Sequence, residues 1–133
     1  MKKSWAQKLN STEMPFVTST EKVLWGKPVG TKMLISSPLE IKDYISKIPK
    51  GKFVDPKEMR ADLAKKHGAD VACPLTTGIF LRIVSEAALE DYALTGSIEN
   101  ITPFWRVVSD NSPLAKKLSI PLEKLQELRV RGG

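Results

Sequence analysis

Between Pro74 and Gly96 the chain carries its longest helix signal, and any fold must house that segment. Pro74 suits the first position of a helix, where its missing N–H costs nothing. Leu75, Ile79, Phe80, Ile83, Val84, Ala87 and Ala88 then recur at helical spacing and predict a wide apolar stripe. Gly96 is placed to end the helix in a left-handed cap. Thr76, Thr77 and Arg82 are expected to project from the other side.

Two shorter helices are expected ahead of it. Leu39, Ile41, Tyr44, Ile45 and Ile48 share one face after Pro38, with Ser37 as N-cap and Pro49 as the stop. Asp55-Pro56-Lys57-Glu58 has the form of a capping box, so a second helix is expected from Pro56 to about His67, burying Met59 and Leu63, with Gly68 at its end. Two short helices followed by a third is the order of a helix-turn-helix unit, whose last helix enters a DNA groove. Gly78 inside that third helix costs roughly 1 kcal/mol relative to alanine. Such a glycine marks a close approach of backbone, here to another helix or to DNA.

The remainder is less regular. Residues 1–32 mix Lys2, Lys3, Lys8, Lys22, Lys27 and Lys32 with Trp5, Phe16 and Trp25 without sustained periodicity, and read as an irregular basic arm laying its aromatics on the body. Lys32-Met33-Leu34-Ile35 predicts one short strand. Ile98 to Val108 reads as extended, Ser109 to Pro113 as a turn, Leu114 to Leu118 as a helical turn, and Pro121 onward as a last helix with Leu122, Leu125 and Leu128 on one face. The fold expected is a single mainly α domain over 1–133 with a short strand or hairpin.

Charge placement narrows the partners. The chain is +6 from 21 basic and 15 acidic residues, yet residues 83–105 hold Glu86, Glu90, Asp91 and Glu99 and no Lys or Arg. A basic body with one acidic segment suits a polyanion on one side. Lys50, Lys52, Lys65 and Lys66 are the candidate phosphate contacts because they flank the turn and the third helix. Cys73 is the single cysteine and His67 the single histidine, so neither a disulfide nor a four-ligand zinc site is expected. No cofactor, metal or membrane partner is expected, and no apolar run reaches the roughly 20 residues of a bilayer span, which points to the cytoplasm.

Thr102-Pro103-Phe104-Trp105-Arg106-Val107-Val108 resembles the Pro-Cys-His-Arg-Val core of the O6-alkylguanine-DNA alkyltransferases. Ile48-Pro49-Lys50-Gly51-Lys52 is similar to the segment that leads into that family's helix-turn-helix, and Thr77-Gly78-Ile79-Phe80-Leu81-Arg82 to its recognition helix. The resemblance covers 38–132 and implies a winged-helix-like, helix-turn-helix DNA-binding domain on double-stranded DNA, acting in DNA repair, with a repair protein as a further partner.

The family's cysteine accepts an alkyl group as thiolate, with a histidine as base and a glutamate as orienter. Here the matching positions hold Phe104, Trp105 and Arg131, none able to play those parts. The resemblance is therefore to the non-catalytic alkyltransferase-like proteins, which bind alkylated bases without repairing them. Phe104, Trp105 and Arg106 would line a residual base pocket, and Thr76, Thr77, Gly78 and Arg82 would face the groove. The family's base-rotating tyrosine falls near Pro56 and its arginine finger near Leu75, which could wedge into the base stack. Two alternatives stay open: a protein-interaction module using the acidic Ile83 to Asn100 segment and the N-terminal arm, with the pocket filled by core, and a thiol enzyme working through Cys73 at the start of the third helix.

Overall fold

The long helix forms as its sequence signals require, and the other elements are arranged around it. The computed structural model describes residues 4–11 and 13–132; Lys2 and Lys3 of the basic arm lie outside the described residues. In chain order the elements are α1 (Trp5–Leu9), β1 (Phe16–Ser19), β2 (Lys32–Ile35), α2 (Pro38–Ser46), α3 (Pro56–Lys66), β3 (Val71–Ala72), α4 (Pro74–Thr95), 3-10 turns at Phe104–Arg106 and Leu114–Lys117, and α5 (Leu122–Arg131). The domain is mixed α/β: five helices and one three-stranded sheet among the described residues.

The caps are those the sequence names. Ser37 accepts a hydrogen bond from the Glu40 N–H, Pro38 and Pro74 occupy first turns, and Gly96 closes α4 at φ 70°. Asp55 caps α3 through the Lys57 N–H, without the reciprocal Glu58 contact of a capping box. On α4 the buried face runs through Thr77, Leu81, Val84, Ser85 and Ala88, and α1 and α2 pack against it.

The arm over residues 1–32 is more ordered than its composition suggests. Ser4 caps α1, and Trp5 of that helix packs partly buried against the core. The strand β1 pairs antiparallel with β2, Phe16 opposite Ile35, and β2 pairs in parallel with β3. Trp25 and Gly26 turn the hairpin with φ values of 49° and 74°, the positive values a two-residue hairpin turn needs. Phe16 and Trp25 are exposed, so of the arm's aromatics it is Trp5 that lies on the body.

Two further expectations are corrected. Ile98 to Val108 is not extended: it is irregular and then tightens into the 3-10 turn at Phe104–Arg106. Leu39, read as buried, is exposed. No helix among the described residues is long and apolar enough to cross a membrane.

Between α2 and α3 the Tyr44 hydroxyl donates to Asp62 at 2.6 Å. Burial and the Asp62 carboxylate hold this phenol well above its ordinary pKa of 10.0. A raised folded-state pKa means that the contribution is complete below the unfolded value and lost as pH climbs past it. The melting-temperature advantage of the wild type over Tyr44→Phe should therefore be flat at neutral pH and shrink above about pH 10; a gap that widened there would contradict this.

Candidate functional site

Phe104 and Trp105 sit on the 3-10 turn, and their surroundings decide what that motif can do. Phe104 is 0% and Trp105 2% exposed. Their rings meet edge to face with centroids 5.4 Å apart. The turn is clasped from two sides. Arg106 donates from Nη1 to the Ile48 carbonyl at 2.8 Å and from Nη2 to the Gly132 carbonyl at 3.0 Å, tying the end of α2 to the end of α5. Arg129 Nη1 donates to the carbonyls of Trp105 and Val108, both at 2.8 Å, while its guanidinium lies 4.3 Å from the Phe53 ring centroid. Here the rings are core, and the reading of Phe104 and Trp105 as an open base-stacking pocket is corrected.

Along α4 the prediction divides. Thr77 is 2% exposed and cannot face a groove; its side of the helix packs inward. Thr76 is half-buried and its hydroxyl bends back to the Cys73 carbonyl at 3.5 Å. Arg82 is half-buried, 5.5 Å from the Trp5 ring centroid, with Nη2 3.4 Å from the Lys117 carbonyl. The outward positions are Leu75, 68% exposed, Ile79, 50% exposed, and Gly78 between them. A Cβ built on Gly78 meets nothing within 4 Å, so this glycine does not serve helix packing. Leu75, Gly78 and Ile79 help line a groove of about 460 Å³ with Pro56, Arg60, Arg82 and Lys117, and its other wall is the Ser112 to Leu114 turn. No carboxylate of the described residues lines it.

The four predicted phosphate-contacting lysines do not gather there. Lys50 lines a separate cleft beside Trp105 and Arg131. Lys52 lines a shallow hollow with Tyr44 and Lys47. Lys65 and Lys66 are at the far end of α3, roughly 15 Å along the helix from Pro56, and Lys66 pairs with Glu40 at 3.5 Å. Of the cations that do border the α4 groove, Arg82 is named by the sequence, while Arg60 and Lys117 are not. Their signal was weak, since each is one basic residue among many and only the fold brings α3 and the Leu114–Lys117 turn to the same place.

The remaining candidates are also placed. Cys73 is the N-cap of α4, 5% exposed, and its side chain makes no capping bond. His67 Nε2 meets the Glu40 carboxylate. In the acidic segment Glu86 turns inward, its carboxylate accepting from Ser119 N–H at 3.2 Å and Ser119 Oγ at 2.9 Å, and Glu90 accepts from the Ala6 N–H at 2.9 Å. The acidic face expected for a protein partner is thus reduced to Asp91 and Glu99. Among the described residues no group of three or more His, Cys, Asp or Glu is placed to hold a metal ion.

Comparison of the chain with protein-family models, with curated proteins and with solved structures gives no match.

Trp105→Ala should cost roughly 3–5 kcal/mol of stability, as for a buried aromatic, whereas Leu75→Ala should stay within about 0.5 kcal/mol. Urea denaturation of both variants measures this. Equal losses would contradict the burial assignment.

Proposed function

We propose that this protein is a non-catalytic, duplex-DNA-binding domain of the alkyltransferase-like type, reading DNA with the outer face of α4. The observation that carries this is the groove at Leu75, Gly78 and Ile79: an exposed, unpacked helical face, bordered by Arg60, Arg82 and Lys117 and lined by no acid among the described residues. An exposed glycine lets a nucleic-acid backbone or base edge come close to the helix, and cations at the margin supply phosphate contacts. Leu75 is the wedge that offsets part of the few kcal/mol needed to unstack a base. An extruded alkylated base would rest in the groove against the Ser112 to Leu114 turn.

In this reading α3 and α4 form an elaborated helix-turn-helix. Residues 67–73, β3 included, replace the three- or four-residue turn of the simple motif. The buried rings of Phe104 and Trp105 support the non-catalytic part, since the motif is spent on packing. A cytoplasmic location and a role in DNA repair belong to the same proposal. A second reading, docking to a protein, is favoured by the hairpin, where Val23, Trp25 and Val29 are all exposed; Trp25→Ser would abolish it and leave DNA binding intact.

Fluorescence anisotropy with matched duplexes, with and without an O6-methylguanine, tests the main reading. Binding should weaken steeply with salt. The double variant Arg60→Ala/Lys117→Ala should lower the slope of log K against log salt by roughly 0.9 for each phosphate it no longer neutralises. Mass spectrometry after incubation with the alkylated duplex should find no added mass on Cys73. No binding at low salt, or a methyl adduct, would contradict the proposal.

A further inference from the structure

The cleft beside Trp105 is a second site, separate from the α4 groove. It encloses about 620 Å³ and is walled by the C-terminal half of α2, the loop after α4, the 3-10 turn and the end of α5. That volume is in the usual range of small-molecule sites, roughly 300–1,000 Å³. Its charge is one-sided: Lys42, Lys50, Arg106 and Arg131 line it against one carboxylate, Glu99. Arg131 is partly compensated by Glu127 at 2.9 Å. Lys42, Lys50 and Arg106 make no ion pair among the described residues, whose ion pairs involve other cations.

Arg106 is the informative member. Its charge is half-buried and met by two backbone carbonyl dipoles, with no carboxylate. Buried charge is ordinarily paired, because desolvation without a counter-charge is costly. Behind this wall, Arg106 Nε and Trp105 Nε1 are buried out of reach of the cleft and have no acceptor. A guanidinium can only donate, and with Lys42, Lys50 and Arg131 it leaves the lining with more positive charge than Glu99 offsets. What is lacking is a set of anionic oxygen acceptors. The cleft also offers an apolar surface at Ile98, Ile101 and Pro103.

We propose that this cleft binds a small organic phosphate. The phosphoryl oxygens lie between Lys42, Lys50 and Arg131, with the field of Arg106 behind them, and the organic portion rests on Ile98 and Pro103. The phosphate could be that of a free nucleotide or that of a DNA terminus, and the chemistry recognised is the same. The inference stands independently of the DNA reading, because Lys42 and Arg131 have no part in the α4 groove.

Isothermal titration calorimetry of the full chain with inorganic pyrophosphate and with adenosine 5′-monophosphate tests it, beside anisotropy with blunt duplexes carrying or lacking a 5′-phosphate. Saturable binding of at least one small probe is expected. Lys42→Ala/Arg131→Ala should weaken it by about tenfold or more, while the charge-matched control Lys22→Ala/Lys27→Ala should leave it within about twofold. Circular dichroism establishes that both variants are folded. Preference for the 5′-phosphorylated duplex over both small probes, abolished by the same variant, would assign the phosphate to DNA ends. Absence of saturable binding for every probe, or equal weakening by the control, would overturn the proposal even if α4 binds DNA.

Discussion

Two arginines hold the 3-10 turn at Phe104–Arg106, and much of the domain depends on how they do it. Arg106 bridges the carbonyls of Ile48 and Gly132, and Arg129 bridges those of Trp105 and Val108. The four carbonyls belong to the end of α2, the end of α5 and the turn itself. Each bond uses a charged donor, which makes it stronger than a neutral one. The backbone of the α2–α3 loop is tied to the same turn by the Val54 N–H to Arg106 carbonyl bond at 2.8 Å. With the backbone fixed in this way, the two rings have no direction to point except inward, where they pack edge to face and complete the core.

That arrangement separates packing from exposed surface. The turn supplies rigidity, and the outer side of α4 at Leu75 and Ile79 stays exposed. The burial of Glu86 against Ser119 follows the same division, since α4 uses its middle to pack against the rest of the chain and its first turns to meet solvent. The cationic cleft at the end of α5 is a by-product of the clasp: using Arg106 to satisfy carbonyls leaves its charge uncompensated by any carboxylate of the described residues.

The sequence made the helices legible because their punctuation is local. Ser37, Pro38, Asp55, Pro74 and Gly96 act within one turn of themselves, so proline and capping rules place α2, α3 and α4 well. It failed where the outcome depends on distant partners. On α4, apolar residues occur all around the helix, and the choice between Ile79 and Thr77 for the buried face is made by α1 and α2, which periodicity does not see. Arg129 is indistinguishable in sequence from a solvated basic residue until the carbonyls of the turn are beside it. A short strand or hairpin is expected from the sequence, but β1 itself is hidden because it is exposed on both faces and carries no alternation. Of the residues lining the α4 groove, Leu75, Gly78 and Arg82 are singled out by the sequence, whereas Arg60 and Lys117 come to it only through the fold.

Hydrogen–deuterium exchange, followed for the free protein and after addition of duplex DNA, tests the division of labour directly. Amides of 104–108 should already exchange slowly in the free protein and be unchanged by DNA, while those of the first turns of α4 should gain protection. Slow exchange at 104–108 that appeared only with DNA, with α4 unaffected, would contradict it.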